Sequence, residues 1–150
     1  MWHIKALDPT EIDTIGRYLG LARLGQGDGY YLVAWVGEVP LGHAYLALTD
    51  PPQLQDVEVR PEHRRRGVAS ALADTAEGVA RARGSSRLRL SVSIDNEAAQ
   101  ALYRSRGYEE TDIPPRRVLG TIQIRTGPLE VDDTLLTWEK TLAGETVRAP

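Results

Sequence analysis

The chain has 150 residues, 41% of them hydrophobic and 26% charged, the mixture of a soluble globular protein able to bury one sizeable core. A net charge of −3, from 18 Lys and Arg against 21 Asp and Glu, argues against a dedicated nucleic-acid or anionic-membrane binder and requires any electrostatic specialisation to be local. Cysteine is absent, which excludes disulfides, thiolate nucleophiles and Cys-ligated zinc together. His3, His43 and His63 are far apart and share no metal-ligand spacing. The longest apolar run, "YYLVAWV" at 30–36, is too short to span a bilayer, and no charged-then-apolar signal segment opens the chain. A single cytoplasmic domain over residues 1–150 is the expectation.

In chain order, "HIKAL" alternates as a strand and leads into "DPTEIDTIGRYLGLARLG". There Thr10 is placed to cap a helix whose apolar positions Ile12, Ile15, Leu19 and Ala22 recur at helical spacing. The glycine-rich "GQGDG" precedes a strand rather than a helix, so it reads as a loop and not a nucleotide cradle. "YYLVAWV" and "PLGHAYLAL" form a hairpin across a Gly-containing turn. After the breaker "TDPPQ", the short strand "LQDVEV" shows Val57 and Val59 on one face and Asp56 and Glu58 on the other.

From Gly67 the period becomes helical: Val68, Ala71, Leu72, Thr75, Val79 and Ala82 fall on one stripe, and Gly84 ends it. "RLRLSVS" is an alternating strand, followed by a short helix, "IDNEAAQALYRSRGY", opened by Asp95 or Asn96 and closed by Gly107. "DIPPR" is a loop, and "RVLGTIQIR" and "TLLTWEKTL" read as strands around a "TGPLEVDD" turn. The order predicts a mixed α/β sheet flanked by helices. Trp35, Trp138 and Tyr45 are expected in the core.

The stretch "RRRGVASAL" sets three arginines against a glycine where a helix begins. The first turn of a helix carries unpaired N–H donors and the positive end of the dipole, so an anion suits it. Gly67, Ala69 and Ser70 are small enough to admit a phosphate to the main chain, and Arg64, Arg65 and Arg66 add attraction. A solvated basic turn is the plainer reading of the same residues.

The same stretch also carries a recognisable motif. Arg64, Gly67 and Ala69 match the Arg/Gln-x-x-Gly-x-Gly/Ala pattern, and "DNEAAQALYRSRGY" matches an Asn-x-x-Ala-x-x-x-Tyr helix ending in Gly-Tyr. In these two ordered motifs, strongest from Leu54 to Tyr108, the chain resembles the GNAT superfamily of N-acetyltransferases. The resemblance implies a central mixed, mostly antiparallel sheet of six to seven strands, a V-shaped splay between strands 4 and 5, and about four flanking helices. It also implies direct transfer of acetyl from acetyl-CoA to a primary amine of a small molecule or peptide, with no metal. The implied cofactor-binding residues are Val57, Val59, Arg64, Arg65, Arg66, Gly67, Val68, Ala69, Ser70, Asn96 and Ala99. The backbone from Arg65 to Ser70 would cradle the CoA pyrophosphate, the Val59 N–H would hold the thioester carbonyl, and Asn96 would touch the pantetheine arm.

By the same resemblance Tyr103 is the general acid facing the sulfur; read from the helix alone, it is a core tyrosine. A base is less direct, because Ser91 stands where some relatives carry a glutamate. Glu58 is the substitute on the adjacent strand, with an ion pair to Arg89 as its structural reading and Asp56 as a weaker candidate. Glu130, Asp132 and Asp133 could attract a cationic amine or simply be solvated. Rival readings are a catalytically silent acetyl-CoA or amine sensor of the same fold, an arginine-based nucleic-acid module, and a protein that dimerises through "TLLTWEKTL".

Overall fold

Alternating Val, Tyr and Leu in residues 29–47 build the centre of the sheet. In the computed structural model, which describes residues 2–16, 19, 28–124 and 127–142, β2 (Gly29–Val36) and β3 (Val39–Ala47) form an antiparallel hairpin. Its two-residue turn uses Gly37 at φ +59°, where glycine meets no steric cost. β1 (His3–Ala6) and β4 (Gln53–Val59) flank the hairpin antiparallel, and β5 (Arg87–Ser93) joins β4 in parallel. β8 (Gly127–Thr141) lies antiparallel to β5, with β6 (Glu109–Glu110) and β7 (Arg116–Ile124) along its other side. The described residues form the expected seven-strand path, and β7 continues along β8 as an eighth segment because "TDIPP" divides the strand beside β8 in two. β4–β5 is the parallel pair in an otherwise antiparallel sheet.

Two helices longer than two turns appear among the described residues, α2 (Val68–Ala82) and α3 (Glu97–Ser105), with one turn at α1 (Ile12–Ile15), rather than about four helices. The helix read in "DPTEIDTIGRYLGLARLG", residues 8–25, is described only to residue 16 and at Leu19, with α1 ending at Ile15, and the rest of that reading lies outside the described residues. Its cap is Asp8, not Thr10. Asp8 Oδ1 accepts from the Thr10 N–H at 3.0 Å, while Glu11 Oε1 accepts from the Asp8 N–H at 3.1 Å, a reciprocal capping box. The Thr10 backbone N–H is also the main reason the Asp8 carboxyl is held below its ordinary range.

α2 buries the stripe Val68, Leu72, Ala73, Ala76 and Ala80 against Leu46, Leu54 and Leu90 of the sheet. Each large aliphatic side chain buried there contributes roughly 1.5–3 kcal/mol. Gly84, at φ +86°, closes α2 with the Ser85 N–H on Ala80 O and its own N–H on Arg81 O. One member of the buried face is charged: Glu77 is 2% exposed. It accepts from Tyr108 Oη at 2.9 Å and from Lys140 Nζ at 2.9 Å, tying α2 to β8 and to the end of α3. Burial, and then Glu77, push the Tyr108 phenol well above its ordinary range.

The opposite face of the sheet carries a second cluster, Ile15, Leu19, Tyr31, Val33, Trp35 and Tyr45. Trp35, Trp138 and Tyr45 are core residues, as expected.

The C-terminal reading changes most. "PLEVDD" is not a turn but the first half of the 15-residue β8, paired with β7. Its acids bind the neighbouring strands: Asp132 pairs with Arg117 and Glu130 accepts from Thr121 Oγ1 on β7, while Asp133 accepts from Ser93 Oγ of β5 at 2.7 Å. "TLLTWEKTL" is not a dimer edge either, since residues 135–141 pair with β5 while 138 and 139 also pair with β6.

Candidate active site

β4 and β5 pair at two rungs, Gln53 with Arg89 and Leu54 with Leu90, and then part. The expected splay is present, and its cause lies in β4. Against β3 the register runs from Tyr45↔Gln55 to His43↔Glu58, a three-residue step opposite a two-residue step, and Asp56 adopts φ +47°. This is a β-bulge, which bends a strand and ends pairing on its far side. Aspartate is among the residues that tolerate the left-handed region.

The bulge also resets the alternation. Directly opposed residues share a face, so Gln55 lies with Tyr45 and Glu58 lies with His43. Val57 and Val59 turn the other way and pack against the core beneath α2 and α3.

Beyond Val59 the chain makes a 3-10 turn at Pro61–His63 and reaches Gly67. The Arg60 N–H donates to Leu41 O at 2.9 Å, and Arg64 Nε donates to Val59 O at 3.0 Å, so Arg64 fastens the loop to the end of β4. Arg65 at φ +66° and Gly67 at φ +86° are both left-handed. A Cβ added at Gly67 would meet nothing within 4 Å, so the need for glycine there is conformational rather than steric.

No side chain caps α2, and the first bond along it runs from the Ala71 N–H to Gly67 O at 2.9 Å. The N–H groups of Val68, Ala69 and Ser70 therefore precede the intrahelical ladder. Arg64, Arg65, Arg66 and Gly67 are exposed, Ala69 and Ser70 half-buried, and Val68 is a buried anchor. Backbone donors and the helix dipole meet at this open turn, beside the exposed Arg65 and Arg66, an arrangement that fits a pyrophosphate.

α3 approaches the same side of the sheet. Asn96 Oδ1 accepts from the Ala99 N–H at 3.0 Å, so Asn96 is the N-cap, and Ala99 packs its methyl against the first core cluster. Tyr103 is 6% exposed and meets Tyr108 edge to face at 5.7 Å between centroids. Burial alone pushes its phenol up to about 12.

Glu58 lies on the other face. Its carboxylate meets no Arg89 ion pair: Arg89 instead binds Glu139 at 2.6 Å across β5 and β8. Glu58 Oε1 stands 3.2 Å from Nε2 of His43, and Asp56 Oδ2 accepts from Tyr31 Oη at 2.7 Å. His43 is fully buried, whereas the Glu58 side chain is 40% exposed. The structure thus puts Tyr103 and Glu58 on opposite faces of the sheet, with the splay as the opening between them. Ser91 is exposed on β5.

His43, Tyr31 and the bulge at Asp56 escape a reading by motif. Two signals were nonetheless present: a lone histidine in register with Tyr45 on an apolar strand, and adjacent polar residues, Gln55 and Asp56, that break the alternation of "LQDVEV".

Two concavities lie elsewhere, of about 410 Å³ beside Thr49–Pro52 and 83–87 and about 340 Å³ between Lys5, Trp35 and Glu38. Neither includes residues 55–70.

The model of the Acetyltransferase (GNAT) family matches residues 2–108. An uncharacterised protein of Mycobacterium leprae (strain TN) is 34% identical over 118 residues, 77% of this chain. The chain spans 29% of that relative's length. The fold is similar to the ribosomal-protein-S18-alanine N-acetyltransferase from Escherichia coli, with TM-score 0.74 and 21% identity over 99% of this chain and 100% of the other. It is also similar to a GNAT family acetyltransferase from Elizabethkingia anophelis with acetyl-CoA bound, with TM-score 0.71 and 15% identity over 94% and 98%. The PaiA N-acetyltransferase from Thermoplasma acidophilum in complex with coenzyme A gives TM-score 0.69 and 14% identity over 94% and 99%. The splayed sheet, the arginine-glycine turn into α2 and the family match over residues 2–108 agree: the chain belongs to the GNAT acetyltransferase family.

Proposed function

We propose that this chain transfers an acetyl group from acetyl-CoA directly to a primary amine of a small molecule or a peptide. The observation that carries the reading is the loop from Arg64 to Ser70, with two left-handed residues and an uncapped helix start directly after the splayed strand. Acetyl-CoA supplies the activated acyl group. The N–H groups of Val68, Ala69 and Ser70, aided by Arg65 and Arg66, hold its pyrophosphate. Val57 and Val59 line the gap, the Val59 N–H is the donor for the carbonyl oxygen, and Asn96 with Ala99 marks the α3 side of the pantetheine channel.

An alkylamine with an ordinary value near 10.4 is cationic at neutral pH and must lose a proton before attack. Glu58, with 40% of its side chain exposed, is the residue that takes it, directly or through water. On the opposite face Tyr103, its phenol held near 12, stays protonated and donates a hydrogen bond toward the departing sulfur. A phenol that weak gives up its proton only as negative charge builds on its acceptor. The absence of cysteine agrees with direct transfer.

The test is thiol release from acetyl-CoA in the presence of a panel comprising spermidine, a lysine-containing peptide and a peptide with a free N-terminal alanine. Amine-dependent release that falls at least tenfold in Glu58→Gln supports the reading. Release that no amine accelerates contradicts it.

A further inference from the structure

We propose that His43 is a positioning residue that fixes the carboxylate of Glu58, an inference that rests on Glu58 being the base. His43 is fully buried and cannot itself touch an acceptor. It stands directly opposite Glu58 in the β3–β4 register, and that pairing exists only because the bulge at Asp56 adds one residue to β4. Nε2 lies 3.2 Å from Glu58 Oε1, whereas Nδ1 lies 4.0 Å from Asp56 Oδ2, beyond hydrogen-bond reach. An ionised carboxylate only accepts, so Nε2 carries the hydrogen.

The imidazole is held in turn. Tyr31 meets it edge to face at 5.1 Å and an interplanar angle of 81°, and Tyr31 is anchored through its hydroxyl to Asp56 at 2.7 Å. Tyr45 packs edge-on against Tyr31 at 5.1 Å, and its hydroxyl donates to Asp28 at 2.5 Å. A rigid aromatic wall thus orients one buried donor, and that donor holds one oxygen of a carboxylate whose side chain remains 40% exposed. A buried donor on one carboxylate oxygen narrows the rotamers a glutamate samples, and a base works only within hydrogen-bond reach of the proton it removes.

The test is a double-mutant cycle with the amine that the thiol-release panel selects. His43→Ala is expected to lower kcat about tenfold with the KM for acetyl-CoA unchanged. His43→Gln, which returns an N–H near Nε2, restores kcat to within about threefold of the native value. In a Glu58→Gln background, His43→Ala costs nothing further. An equal loss in both backgrounds, or no rescue by His43→Gln, overturns the role of His43 while leaving Glu58 in place. Full activity in Glu58→Gln alone, or no acceptor at all, removes the base reading and this inference with it.

A readout that needs no His43 variant is the long-range ¹H–¹⁵N NMR spectrum of the imidazole. Nε2 is expected to be protonated in the native protein, and its resonance to move in Glu58→Gln. An unprotonated Nε2 overturns the proposal.

Discussion

Leu54 pairs with Leu90 across β4 and β5, and no residue of β4 beyond it pairs with β5. Two residues later Asp56 turns left-handed, and the strand bends away from its neighbour toward the loop that starts α2. The opening in the sheet, the face that Glu58 occupies and the direction in which the arginine loop leaves all follow from that one backbone conformation.

Substitution at Asp56 should therefore separate backbone strain from side-chain loss. Asp56→Asn tolerates the left-handed region and keeps an acceptor for Tyr31 Oη, so its urea midpoint should stay near the native value. Asp56→Val meets the full steric conflict at φ +47° and loses the Tyr31 bond, and should cost about 1–3 kcal/mol. Equal stability of the two variants would show that the strand relaxes without the bulge.

Gly67→Val introduces a branched side chain at φ +86°, in a spot where an added Cβ meets nothing within 4 Å. The loop must shift to accommodate it, and the donors of the first turn of α2 shift with it. Acetyl-CoA affinity should fall at least tenfold, about 1.4 kcal/mol, with far-ultraviolet circular dichroism unchanged. Native affinity in this variant would mean that the loop does not hold the pyrophosphate.

Glu77 is the buried carboxylate between Tyr108 and Lys140. Glu77→Ala strands a buried phenol hydroxyl and a partly buried ammonium, and should lower stability by about 3 kcal/mol in chemical denaturation. Glu77→Gln keeps an acceptor for Tyr108 and should fall between the alanine variant and the native protein.

Tyr103 sets an alkaline limit. Burial favours its neutral phenol, so the folded state resists ionisation that the unfolded chain undergoes near pH 10. The contribution is complete below pH 10 and is lost as pH rises from 10 to about 12, a shift worth about 3 kcal/mol. Denaturation midpoints of Tyr103→Phe should decline less over that window than those of the native protein. Parallel declines would show that Tyr103 ionises as freely in the fold as outside it.

Much of this was legible in the sequence because local chemistry and fold agree in the middle of the chain. Gly67 and Gly84 bracket α2, Asn96 caps α3, and the hairpin turn at Gly37 sits between two apolar strands, each signal acting over a few residues. The acids of β8 misled for the converse reason. Glu130 and Asp132 suggest a turn, but their partners Thr121 and Arg117 lie on the neighbouring strand, a relationship only pairing reveals. That Glu58 points away from Val57 and Val59 is legible from their alternation, whereas which face of the sheet it takes depends on the bulge. The link between Glu58 and His43 spans 15 positions and depends on register, so no local pattern announces it.

The most direct test is calorimetric titration of the protein with acetyl-CoA, repeated with CoA and with the Gly67→Val variant. One saturable site for both ligands, weakened at least tenfold in the variant, is the result expected if the pyrophosphate rests on residues 65–70. No heat at millimolar acetyl-CoA, or equal binding by the variant, would contradict the assignment of the loop and with it the proposed transfer.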